Sequence, residues 1–130
     1  MTVASVLWVA VGAAVGAPLR YLVDQAVKAR YRGRFPWGTF AVNVAGSAVL
    51  GALTGAVAAL PPGAVPEAVR AGLGVGFCGA LTTYSTFGYE TLALVEGRAT
   101  RVAVANLVGS VVAGLLVAGV AWWGVGLVLG

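Results

Sequence analysis

The chain has 130 residues, of which 60% are hydrophobic and only 9% are charged. Soluble domains carry roughly 25% charged residues, so this composition excludes an ordinary water-exposed surface and indicates a protein that is solvated by lipid. The sequence contains no histidine, one cysteine and a formal net charge of +4. These counts exclude a Cys/His zinc site and an internal disulfide, and they give no basis for enzymatic activity or for nucleic-acid binding.

Four long stretches of the sequence lack charged residues, namely 1–19, 35–66, 71–89 and 102–130. A helix needs about 20 mainly apolar residues to cross a bilayer. The sequence lacks the segments of alternating apolar and polar residues that are typical of a closed β-barrel. We therefore predict an all-α integral membrane protein with four transmembrane helices in a single domain, 1–130, located in the cell membrane. The predicted spans are 3–23, 37–60, 67–95 and 101–128.

Two ionisable residues, Arg20 and Asp24, lie four positions apart near the end of the first span. An isolated charge in a membrane is costly, so they either form an ion pair on one helix face or have a functional role. The connection that follows is strongly basic, which is typical of a cytoplasmic loop. Its cations are Lys28, Arg30, Arg32 and Arg34.

The second span carries an asparagine, Asn43, with no charged neighbour. Its amide needs hydrogen-bond partners in hydrocarbon, either as a contact between helices or in a pore. Thr39 lies one turn earlier on the same face, and Asn106 with Ser110 repeats this spacing in the fourth span. Two polar stripes of this kind indicate a hydrated track.

The third span is interrupted by a polar and aromatic patch at 79–88. Non-helical backbone is tolerated in a bilayer only where protein or a water-lined cavity covers it, and ion sites are commonly built there. We therefore predict that the third helix is broken mid-membrane. Glu90 follows one turn later, either as a vestibule residue or as an interfacial carboxylate.

Small residues recur four positions apart in three of the spans. Close backbone approach is how helices associate in lipid, so these stripes are predicted to be helix contacts rather than ligand sites. They are Gly12 and Gly16, then Ser47, Gly51 and Gly55, and finally Ser110, Gly114 and Ala118.

Three motifs carry a resemblance to a known family. They read Gly16-Ala-Pro-Leu-Arg20-Tyr21 in the first span, Gly38-Thr-Phe-Ala-Val-Asn43-Val-Ala-Gly46-Ser47 in the second, and Gly76-Phe-Cys-Gly79-Ala-Leu-Thr82-Thr83-Tyr84-Ser85-Thr86-Phe87 in the third. In this order, in a four-span chain, they resemble the signatures of the Fluc (CrcB-type) fluoride channels. The match extends over nearly the whole chain.

The resemblance implies a passive, fluoride-selective export channel that relieves fluoride toxicity. It also implies an antiparallel, dual-topology dimer with two pores and a structural sodium ion at its centre. The residues that it places at the fluoride pathway are Asn43, Tyr84, Ser85, Thr86, Phe87, Thr39, Ser110, Asn106, Glu90 and Arg20. The backbone carbonyls of Gly79 and Thr82 are expected to bind the sodium ion.

Two positions depart from the family pattern. Tyr84 stands where the family usually has phenylalanine, and its hydroxyl could donate to the anion or hold it too tightly. Gly114, one turn after Ser110, lacks the hydroxyl with which the polar track would continue. One of the two pores could therefore be altered.

Positive charge is unevenly distributed over the predicted loops. Six cations fall in the first and third loops, and only Arg70 lies on the opposite side. A subunit that inserts in both directions should be nearly balanced, so we predict one orientation, with the basic loops in the cytoplasm. The expected dimer partner is a second copy of the chain or a homologous subunit with the opposite charge bias. Both subunits of the dimer are expected to contact membrane lipid.

Two other functions fit a small helical membrane protein. A proton-coupled multidrug exporter is also an antiparallel dimer of four-span subunits, but it needs a carboxylate embedded in its first span, and Asp24 lies at the end of that span. A scaffold or assembly subunit would conduct no ions and would tolerate substitution of Asn43.

Overall fold

The computed structural model describes residues 2–130, and this range is helical without a β-strand. Its helices are α1 (Val3–Arg30), α2 (Trp37–Ala59), α3 (67–81), α4 (Ser85–Glu96) and α5 (Thr100–Leu129). Within the described range, α1, α2 and α5 are each long and apolar enough to cross a bilayer. The expected class, a helical integral membrane protein that crosses the membrane more than once, is confirmed.

α1 continues well beyond the predicted span 3–23. Asp24 forms an ion pair with Lys28 across one turn at 2.8 Å, and the last turn contains basic residues, which stabilise the C-terminal end of a helix. The carboxylate therefore pairs with Lys28 and not with Arg20, the partner considered from the sequence. An acidic residue four positions before a basic one pairs better than the reverse order, which accounts for the difference.

α3 is irregular and stops at the predicted polar patch. It begins as α-helix at Glu67–Val69, continues as a π-helix over Arg70–Cys78, and returns to α-helix at Gly79–Leu81. The chain is then unwound over 82–84 before α4 begins. The predicted break is present, whereas the π-helical segment was not predicted.

The helices pack as two close pairs, α1 with α3 and α2 with α5. Glycine permits the close approach in both pairs. A Cβ atom at Gly51 of α2 would lie 2.8 Å from the Cα of Ala118 in α5, and a Cβ atom at Gly12 of α1 would collide with the backbone of Gly72. The small-residue stripes are thus helix contacts, as predicted.

The outer surfaces of α1 and α5 carry large apolar side chains that are more than half exposed. They include Val3, Leu7, Leu115, Val120 and Val128. A monomeric protein in water rarely exposes apolar area on this scale, so these surfaces are suited to lipid or to another helix.

The connections lie at two ends of the molecule. The loop 31–36 and the turn 97–99 border one cavity, so the basic connections are together at one end. The turn 60–66 lies with Arg70 around a different cavity. Gly63 in this turn has a φ of +84°, a conformation that favours glycine.

Candidate functional site at the helix break

Asn43 of α2 reaches the unwound segment between α3 and α4 and binds its backbone. Its Oδ1 accepts a hydrogen bond from the Thr83 N–H at 2.8 Å, and its Nδ2 donates to the Thr83 carbonyl at 3.2 Å. An amide nitrogen carries two hydrogens, so one remains beyond this pairing. The Asn43 amide therefore holds the break against α2. The sequence had predicted that this amide needs partners, and the structure shows that they are the backbone groups of Thr83.

Thr83 also organises the start of α4. Its Oγ1 accepts a hydrogen bond from the Thr86 N–H at 3.2 Å, which is the bond that an N-cap threonine makes in the first turn of a helix. The Thr83 side chain is buried. One residue thus fixes the break through its backbone, held by Asn43, and through its hydroxyl, which caps α4.

The N–H groups of Thr83 and Thr86 would have other acceptors in a continuous helix. There, the Thr83 N–H would donate to the Gly79 carbonyl and the Thr86 N–H to the Thr82 carbonyl. At the break, both N–H groups are directed to side chains instead. The Gly79 and Thr82 carbonyls are therefore among the backbone oxygens that lose their helical donors.

A groove of about 500 Å³ extends over the break. Its lining includes the polar side chains of Asn43, Ser47 and Ser110 and the rings of Tyr84 and Phe87. The two ring centroids are 6.4 Å apart, and Tyr84 is 87% exposed. The groove therefore presents polar groups beside aromatic rings at the surface of the chain.

A second cavity of about 540 Å³, here called the vestibule, lies between the loop 31–36 and α4. Glu90 lines it, and its Oε1 accepts a hydrogen bond from Oγ1 of the buried Thr39 at 2.7 Å. Thr86 and the ion pair formed by Asp24 and Lys28 also border this cavity. Glu90 therefore lines a cavity at the basic end of the molecule, and its role in an ion pathway stays a prediction.

Comparison of the sequence with known proteins identifies the family of this chain. The family model described as "CrcB-like protein, Camphor Resistance (CrcB)" matches residues 7–125. The chain belongs to the CrcB family. The resemblance that three motifs carried is confirmed.

The CrcB-family relatives are named as channels. The chain is 56% identical to "Fluoride-specific ion channel FluC 1" of Streptomyces avermitilis over 109 residues, which cover 84% of this chain and 86% of the relative. It is 55% identical over 109 residues to the protein of the same name from Frankia casuarinae, covering 82% and 84% of the two chains. It is 40% identical to "Fluoride-specific ion channel FluC 2" of Moorella thermoacetica over 120 residues, covering 92% and 95%. These names describe transport proteins and not enzymes, as expected.

In this CrcB-family chain, Asn106 lies at the centre of a buried network between α4 and α5. The residue is 0% exposed. Its Nδ2 donates to Thr91 Oγ1 at 2.9 Å, and its Oδ1 accepts from Ser110 Oγ at 3.2 Å. Thr91 Oγ1 in turn donates to the Phe87 carbonyl at 2.8 Å. Ser110, which also lines the groove, connects this network to the break.

Among residues 2–130, four of the predicted fluoride-pathway residues line neither the groove nor the vestibule. Thr39 and Asn106 are buried and form hydrogen bonds with Glu90 and Thr91, respectively. Ser85 is exposed at the first position of α4, and Arg20 is half-buried on α1. The contribution of these four residues to an ion pathway stays a prediction.

Two residues that organise the site, Thr83 and Thr91, were not singled out from the sequence. Thr83 carried a usable signal, because a threonine three positions before Thr86 at the start of a helix has N-cap spacing. Thr91 bonds a carbonyl of its own helix, and only its contact with Asn106 distinguishes it. No sequence pattern predicts that contact.

Proposed function

We propose that the chain is a subunit of a fluoride-selective channel in the cell membrane, through which fluoride leaves the cell passively. The observation that carries the proposal is the groove over the helix break, lined by Asn43, Tyr84 and Phe87, in a protein of the CrcB family. Relatives that share more than half of the aligned residues are named fluoride-specific ion channels.

The chemistry of the groove suits fluoride. This ion is small and strongly hydrated, so a pore has to replace its water with hydrogen-bond donors, without a fixed cation that would retain it. Asn43 keeps one Nδ2 hydrogen beyond its bond to Thr83, and Tyr84, which also lines the groove, carries a hydroxyl group. Aromatic ring edges carry positive potential, so Phe87 can help an anion past an apolar constriction.

The vestibule provides a hydrated approach from the basic end of the molecule. In its lining, Lys28 and Arg34 offset the carboxylates of Asp24 and Glu90. A lining of balanced charge does not repel an anion, as the carboxylates alone would. Thr86, at the first turn of α4, lies between this cavity and the break.

The proposed channel is an antiparallel dimer of four-span subunits, in which α3 and α4 together form the broken third span. Unwound backbone inside a bilayer has to be covered, and the exposure of Tyr84 indicates that this chain leaves one side of the break open. A second subunit against this face would cover the break and close the groove into a pore. That subunit is a second copy of the chain or a homologue of opposite charge bias.

A structural sodium ion at the break is part of the proposal. Sodium prefers hard oxygen ligands, and carbonyls of unwound backbone are of this kind. The Gly79 and Thr82 carbonyls fit, because the N–H groups that would bond them in a helix are directed to Asn43 and Thr83. Gly79 is also exposed, within reach of a partner subunit. When bound, sodium would offset the partial negative charge of these oxygens.

Proteoliposomes test the proposal. Vesicles loaded with potassium fluoride are diluted into fluoride-free buffer at the same pH, and fluoride release is followed with an electrode. Valinomycin should trigger release, because the charge carried out by fluoride through a passive channel is then balanced by potassium leaving the vesicle in the same direction. A proton-coupled exporter would instead require a pH gradient. No release above that of protein-free vesicles would contradict the channel and would be the behaviour of a scaffold.

A further inference from the structure

We infer that Asn43 and Thr83 are positioning residues for the sodium site. Their side chains accept hydrogen bonds from two backbone N–H groups that, in a continuous helix, would donate to the carbonyl ligands of the ion. The inference rests on the proposed function, which includes the sodium ion. It gives Asn43 a role in addition to that of a fluoride donor, and it gives Thr83 a role toward the ion.

The first of the two N–H groups belongs to Thr83. It donates to Asn43 Oδ1 at 2.8 Å, the shorter of the two bonds between these residues. Thr83 is only 8% exposed, so water is a poor substitute if Oδ1 is removed. A buried N–H without an acceptor is costly, and the acceptor that a helical turn would offer is the Gly79 carbonyl. Asn43 therefore keeps the Gly79 oxygen available.

The second N–H group belongs to Thr86. It donates to Thr83 Oγ1 at 3.2 Å. Without this hydroxyl, the first turn of α4 would lose its cap, and the helical acceptor for the Thr86 N–H is the Thr82 carbonyl. Thr83 therefore keeps the Thr82 oxygen available.

The hydrogen bonds just before the break show where the free carbonyls begin. The Cys78 carbonyl accepts two bonds from Thr82, one from its N–H at 3.0 Å and one from its Oγ1 at 2.7 Å. Thr82 itself is extended, with φ −79° and ψ 159°. Both donors of Thr82 are thus used on Cys78, and the group that it leaves for a cation is its carbonyl. Gly79 is the next carbonyl along the chain after the satisfied one.

This arrangement predicts that sodium affinity depends on side chains that do not touch the ion. Partners that orient metal ligands typically change affinity by about 10- to 100-fold when they are removed. Thr83→Val keeps the shape of the side chain but removes the Oγ1 acceptor, and Thr83→Ser keeps the acceptor. Asn43→Leu removes the other acceptor without altering Thr83, and it serves as the second variant if Thr83→Val does not fold.

The experiment measures thermal unfolding of the full chain in lipid nanodiscs while potassium is replaced stepwise by sodium at constant ionic strength. The parent should unfold at higher temperature as sodium rises, with a defined half-saturating concentration. Thr83→Val and Asn43→Leu should raise that concentration about tenfold or more, while Thr83→Ser stays close to the parent. Thr54→Val is the matched control, because the Thr54 hydroxyl bonds only carbonyls of its own helix, those of Leu50 and Gly51.

Equal half-saturating concentrations in the parent, Thr83→Val and Asn43→Leu would overturn the inference. A parent that unfolds at the same temperature in sodium and in potassium would overturn it too. The measurement contains no fluoride, so either result leaves fluoride conduction as it stands. Conversely, suppose that the parent protein is stabilised by sodium but releases no fluoride from vesicles. That result would contradict the channel proposal and leave the inference about the sodium site intact.

Discussion

The Asn43 side chain binds the helix break and also borders the groove. Its oxygen and one amide hydrogen bind the backbone of Thr83, while the side chain also lines the groove. An asparagine is well suited to this, because it offers an acceptor and two donor hydrogens on one planar group. Leucine would fill a similar volume but would leave the Thr83 backbone groups unpaired.

At this residue, Asn43→Asp should abolish fluoride conduction. The carboxylate keeps an acceptor for the Thr83 N–H, but it loses the donor to the Thr83 carbonyl and places negative charge beside the path of the anion. Two like charges 4 Å apart repel by about 4 kcal/mol at an effective dielectric constant of 20. We therefore expect fluoride efflux from proteoliposomes to fall by more than about 100-fold.

Thr54→Val, remote from the break, is the control for insertion and folding and should conduct like the parent. Efflux through Asn43→Asp at the parent rate, from protein that elutes as a single species, would show that Asn43 does not face the ion.

The need of Asn43 for partners was predictable from sequence, because an amide in an apolar span cannot remain unpaired. The identity of its partner was not. Thr83 lies 40 positions away along the chain, and it contributes backbone groups that exist as free donors and acceptors only because the helix is interrupted there. Sequence patterns describe side chains, so a backbone partner of this kind leaves no signal.

At the level of helices, glycine contacts set how closely α2 and α5 approach. Gly51 faces the backbone of Ala118 at the crossing of these helices. Gly119, the next residue of α5, has open space where a Cβ atom would be added. The two glycines therefore form a matched pair, one within the contact and one outside it.

Gly51→Ala should destabilise the protein, because the new methyl group would lie 2.8 Å from the Cα of Ala118. Overpacking of this kind typically costs about 1–3 kcal/mol. Gly119→Ala should be neutral, or stabilising by up to about 1 kcal/mol from helix propensity. Apparent unfolding temperatures of the two variants in the same detergent check this. Equal temperatures for both variants would mean that α2 and α5 are not in close contact at Gly51.

Helix boundaries show where sequence reasoning succeeds and where it stops. The second and fourth predicted spans agree with α2 and α5 to within a residue at each end, because charges, prolines and glycines mark those ends. α1 runs beyond its predicted end because the Asp24 and Lys28 pair favours helix in a polar segment. The π-helix at Arg70–Cys78 was missed because its extra residue per turn has no composition signal.

At the level of the whole molecule, the distribution of charge predicts one orientation in the membrane. The basic loop 31–36 and the turn 97–99 lie together at one end, and the turn 60–66 with Arg70 is the less basic side. Loops rich in Lys and Arg remain in the cytoplasm. We therefore expect the basic loops inside the cell and both termini outside.

Single cysteines test this orientation in a Cys78→Ala background. Gly33→Cys places a thiol in the basic loop, and Val128→Cys places one near the C-terminus, at positions that are both exposed. An impermeant thiol reagent applied to intact cells should label Val128→Cys and spare Gly33→Cys until the membrane is opened. Labelling of both positions from outside would show that the chain inserts in both directions and can form the antiparallel dimer with itself.

Anion selectivity tests the central claim most directly. Proteoliposomes are loaded with equal concentrations of potassium fluoride and potassium chloride, valinomycin is added, and both anions are followed in the same sample with two electrodes. A pore built from the Asn43 amide and hydroxyl groups, with no lysine or arginine among the described residues that line the groove, should release fluoride and retain chloride at the level of protein-free vesicles. Release of both anions at equal rates would contradict the fluoride-selective channel.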